Sequence, residues 1–155
     1  MALSLLYTIL LLAGFTAVGS VLSFWARKYN IQGLEIWLSL AIILSYGKSP
    51  VAGLAIASLI IILSWAMFPY PLQYVLVMIV CLAALCFSTI IIPVTAVSFV
   101  KTALILVIVY NVFSNVILAF TGGNVANITK FALLSTVFSW FIFLKIGWWL
   151  VMLFR

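Results

Sequence analysis

Glu35 is the one carboxylate in a chain of 155 residues that holds seven lysines and arginines and no histidine. Most catalytic chemistry therefore lacks its reagents. Zinc, histidine-ligated haem and di-iron centres have no adequate ligand set. Serine and threonine are plentiful, but a hydroxyl nucleophile needs an activating base, and lysine is the only candidate. The sequence contains no phosphate-binding glycine loop, paired carboxylates, potassium-filter run, nucleophile elbow or metal-binding helix motif. The expectation is a chain that is not an enzyme and holds no cofactor and no metal.

Each remaining reactive side chain has a structural and a functional reading. A lone intramembrane acid can couple an ion. Glu35, however, opens the second apolar segment, where the helix dipole favours negative charge, a few residues after Arg27 and Lys28. That points to an ion pair between Glu35 and Arg27 or Lys28. Lys145 lies inside the last apolar segment beside Trp148 and Trp149, and snorkelling toward the interface accounts for it. Cys81 and Cys86 are five residues apart, roughly 140° around a helix, so they cannot bridge each other and read as two buried apolar thiols.

The most polar intramembrane stretch lies in the fifth segment. Lys101, Ile105, Ile108, Val112 and Asn115 share one helical face, with Asn111 and Ser114 flanking Asn115. Asparagines in hydrocarbon need partners, so this face is expected to turn toward another helix or a wet cavity. One reading is interhelical hydrogen bonding. The sharper one is a face that lines a substrate path or binds a lipid headgroup through Lys101, Asn111, Ser114 and Asn115.

These residues must be positioned by elements that live in lipid. Hydrophobic residues make up 69% of the chain and charged ones 5%, with a mean hydropathy of +1.49, whereas a soluble domain is about 25% charged. One acid and seven bases cannot cover a water-facing surface. The basic residues are scattered singly near the ends of apolar runs, so the net charge of +6 forms no nucleic-acid patch. It fits interfacial anchors facing anionic phospholipids.

The hydropathy pattern predicts an all-α, polytopic integral membrane bundle of about six transmembrane helices in a single domain, 1–155. The segments run Ala2–Ala26, Leu34–Tyr46, Val51–Phe68, Leu72–Ile92, Val97 to the Thr121-Gly122-Gly123-Asn124 turn, and Phe131–Leu150. Gly47-Lys48-Ser49-Pro50 and Phe68-Pro69-Tyr70-Pro71 read as turns. The second segment is short for a bilayer of about 30 Å and either extends through Gln32 and Gly33 or re-enters, as a hairpin from Leu34 to about Ile60. Small residues repeat at helical spacing on the first, third and last segments: Thr16, Gly19, Ser20 and Ser23; Gly53 and Ala57; Ser135 and Ser139. Such faces predict close helix packing.

Arg27, Lys28 and Lys130 fall on one side, and Lys48, Lys101, Lys145 and Arg155 with the N-terminal amine on the other. This places both termini in the cytoplasm by charge bias. The leading functional expectation is a non-catalytic membrane subunit that packs with other transmembrane helices, in a homo-oligomer or a larger membrane complex. The alternative is a small transporter, channel or lipid-handling protein for an uncharged or anionic substrate.

Overall fold

The second apolar segment forms a helix, α2 (Trp37–Gly47), whose residues are all buried except the half-buried Tyr46. Its sequence, WLSLAIILSYG, has no polar face to offer a solvent, and a helix apolar all round belongs inside a bundle. Eleven residues rise only about 16 Å, roughly half of a bilayer core. The other helices therefore enclose it. The computed structural model describes residues 2–29, 31, 33 and 36–155, without the side chains of residues 2–5, 8 and 27.

Around α2 stand α1 (Ala2–Lys28), α3 (Pro50–Met67), α4 (Leu72–Ser88), α5 (Phe99–Phe120) and a last rod made of α6 (Val125–Ile142), a π-helical turn (Phe143–Gly147) and α7 (Trp148–Phe154). The chain is thus an all-helical bundle, with no strand among the described residues. Four helices are long and apolar enough to cross a membrane: the Ile9–Ala26 stretch of α1, α3, α5 and the Val125–Phe154 rod. α2 and α4 are shorter. The Leu72–Ile92 span expected from hydropathy ends as helix at Ser88, because the chain turns through Thr89–Ile92 before Pro93. α3 runs its full length, Pro50–Met67, beside the short, enclosed α2.

Named contacts fix the directions. Gly53 of α3 packs on Ala41 and Ser45 of α2, antiparallel. Ser39 Oγ donates to Ser139 Oγ at 2.9 Å, while Gly47 lies on Val151 and Phe154, so α2 runs parallel to the last rod. Asn111 meets Ser135 and Phe99 meets Phe143, so α5 and the rod are antiparallel. The expected small-residue faces lie at these junctions: Gly53 and Ala57 face inward, Ser135 and Ser139 are buried, and Gly19 abuts Ile60. Close approach of this kind is what small side chains provide where lipid supplies no hydrophobic drive.

The polar and apolar surfaces are arranged for lipid. Ser20, Ser23, Ser39, Ser64, Ser135 and Ser139 are buried, whereas Leu59, Leu76, Val80, Phe113 and Leu133 are exposed. Turn chemistry sets the helix starts. Ser49 Oγ accepts from Ala52 N at 3.1 Å with Pro50 at the first helical position, and Thr95 and Ser98 exchange side-chain-to-backbone bonds ahead of α5. Lys145 is exposed on the π turn, while Arg155 stacks over Trp148 at 5.4 Å.

Candidate interfacial cleft

α2 begins at mid-depth: the Trp37 ring meets Tyr110, near the middle of α5, edge-on at 5.7 Å. Past this contact α5 continues toward its turn with α6. There, toward the α5–α6 turn, a cleft of about 590 Å³ opens, within the usual range for small-molecule sites of about 300–1,000 Å³. Its floor is buried and formed by Met78, Tyr110 and Ser114, and its rim is exposed at Lys28, Phe68, Asn124 and Asn127. Tyr70, Tyr74 and Asn115 stand between floor and rim, with Leu118, Ile128 and Phe131 supplying apolar wall.

Local sequence positions each of these groups. Gly122 adopts φ +87, a left-handed conformation that a side chain would strain, and so reverses the chain between α5 and α6. Asn124 Oδ1 caps α6 by accepting from Ala126 N at 3.0 Å and Asn127 N at 3.3 Å. Its amide is thereby fixed beside Asn127 at the rim. Trp65 Nε1 donates to the Tyr70 carbonyl at 2.7 Å and holds the Phe68-Pro69-Tyr70-Pro71 turn over the opening. Lys28 Nζ lies 5.4 Å from the Trp25 ring centroid, a cation–π contact that leaves its charge at the rim. Among the described residues, one cation and no acid line the cleft.

The four candidates on α5 separate. Ser114 and Asn115 line the cleft. Asn111 is buried but turned to α6, its Nδ2 donating to Ser135 Oγ at 2.8 Å, Thr136 Oγ1 at 3.0 Å and the Ala132 carbonyl at 3.3 Å. Lys101 sits exposed at the other end of α5, about 21 Å along the axis from Asn115. The face expected to turn inward is rotated: Ile105, Ile108 and Val112 are exposed, and the flanking Asn111 and Ser114 point in. Packing decided this, since burying Asn111 against α6 hydroxyls satisfies its amide where the aliphatic face gains nothing by leaving lipid. The expected pairing of Glu35 with Arg27 and Lys28 lies outside the described residues, because Glu35 and the Arg27 side chain are not among them.

Asn111 therefore acts as interhelical glue, and its removal has a bounded effect. Asn111→Leu loses the two N–H groups of this amide, shared among three acceptors, at about 0.6 kcal/mol each. Asn111 Oδ1 has no partner among the described residues, so its removal also relieves about 1 kcal/mol of desolvation. We expect Asn111→Leu to lower resistance to denaturant by less than about 1 kcal/mol, measured by unfolding in mixed micelles. Ligand retention should be unchanged.

Aromatic and asparagine residues outside α5 are what residue spacing could not supply. Tyr70, Tyr74, Asn124 and Asn127 come from two connections and the helix starts that follow them. Their shared signal is only that each flanks a turn at the same end of the bundle. No protein-family model, no curated protein and no solved structure matches this chain.

Proposed function

We propose that this membrane protein is non-catalytic and holds an amphiphile with an anionic or uncharged polar head in the cleft at the α5–α6 end. The observation that carries the reading is the lining itself. A single lysine with three asparagines and three tyrosines gathers around one opening, and apolar residues lie beneath. Lysine and amide N–H groups donate to head-group oxygens. Lipid handling, rather than cation passage, fits such a donor-rich site.

Native mass measurement from mild detergent tests this. Wild-type protein is expected to retain phosphatidylglycerol in preference to phosphatidylcholine. Lys28→Gln should cut that preference about fivefold, since a basic residue near the headgroup layer is worth about 1 kcal/mol. Protein free of lipid in both samples would remove the proposal.

A second reading, a subunit that packs with other transmembrane helices in a homo-oligomer or a complex, is favoured by α1. That helix packs chiefly on α3 and leaves Leu6, Leu10, Val18 and Val21 exposed. The same mass spectra distinguish the two readings, because a protein partner adds tens of kilodaltons and a lipid less than one, by order of magnitude.

A further inference from the structure

We propose that the occupant of the cleft is a membrane phospholipid whose acyl chain runs down a lateral groove between α4 and α5, so that the ligand enters sideways from the leaflet. This rests on the reading of the cleft above. The groove has a volume of about 250 Å³ and is lined almost wholly by apolar atoms. Tyr110 belongs to both spaces, as floor of the cleft and upper wall of the groove. On α4, Met78 of the cleft and Cys81 of the groove are three residues apart on the same inward face, so one space follows the other along the helix.

The groove opens outward. Val80 and Phe113 form its lips with 67% and 63% of their surfaces exposed, and Ala84 between them is exposed, whereas Cys81 and Leu85 are buried at its base. From Val80 to Ser88, α4 rises about 12 Å, close to the roughly 15 Å of one leaflet's hydrocarbon. A tail lying there keeps its head at the depth of Lys28 and Asn115. A water-soluble ligand would have no use for this second space. Lipid tails are as apolar as its walls, so the groove contributes through close van der Waals packing around a seated tail. It admits a tailed molecule whose head the cleft then holds.

The experiment fills the groove from the lipid side and leaves the cleft intact. Retention of dioleoyl phosphatidylglycerol, and its displacement by the chainless headgroup glycerophosphoglycerol, is measured in wild type, Ala84→Phe and Val109→Trp, on opposite walls, with lipid-facing Leu133→Phe as control. Overpacking predicts a loss of roughly tenfold in diacyl-lipid retention for either groove variant and none for the control. Glycerophosphoglycerol should displace the lipid weakly if at all, and equally in every variant. Unchanged lipid retention in the groove variants overturns the inference, and if Lys28→Gln still lowers retention the cleft reading survives. Displacement by the chainless headgroup at the same concentration as by the diacyl lipid overturns it as well. Val109→Trp carries the test should Ala84→Phe fail to fold.

Discussion

Gly53→Leu is expected to leave little folded protein. Any Cβ at this position would sit against the Ala41 carbonyl oxygen and Ser45 Oγ of α2. Ser45 can rotate away, but the Ala41 carbonyl belongs to the helix ladder of α2 and cannot. Overpacking of this kind costs about 3 kcal/mol or more when backbone is the obstacle, a large share of the net stability of a small protein. The damage spreads because α2 is enclosed on all sides. Pushing it off α3 moves Trp37, and with it the support of Tyr110 at the cleft floor. Size-exclusion profiles in detergent should show aggregate for Gly53→Leu and an intermediate loss for Gly53→Ala. A monodisperse Gly53→Leu peak at the wild-type volume would mean that α2 and α3 do not meet as described.

Ser114→Phe should abolish ligand retention while leaving the fold in place. Ser114 is 2% exposed and forms part of the cleft floor, and its hydroxyl donates only a weak bond, at 3.4 Å, to the Asn111 carbonyl. A benzyl group has room to enter a 590 Å³ space, and there it occupies the volume a headgroup would need. We expect at least a tenfold fall in retained lipid with an unchanged elution profile. Asn111, one turn away, gives the contrasting result because its amide serves α6 and not the cleft. Two polar residues three positions apart on one helix thus separate stability from binding.

The membrane bundle was legible in the sequence because lipid imposes so strict a demand. Every backbone group must be satisfied within its own helix, and apolar runs bounded by Pro, Gly and Lys mark where that holds. The start of α3 at Ser49-Pro50 and the turn at Gly122 follow from residue chemistry alone. The shortness of the second segment was also visible. Its enclosure was not, since a helix apolar all round faces lipid or protein equally well on composition.

The cleft was half legible. Ser114 and Asn115 stood out as polar atoms in an apolar run, and both line it. Which way α5 rotates could not be read from α5, because the hydroxyls that capture Asn111 belong to α6. Tyr70, Tyr74, Asn124 and Asn127 converge through tertiary structure, and in isolation each looks like an ordinary interfacial or capping residue.

Photo-crosslinking with a phosphatidylglycerol that carries a diazirine next to its headgroup addresses the central claim most directly, read by mass spectrometric mapping of the adducts on wild-type protein. Adducts should concentrate around Tyr74, Asn115 and Asn127, at the walls and rim of the cleft. Adducts spread over the outward faces of α1 and α3, with no enrichment at those three positions, would contradict it.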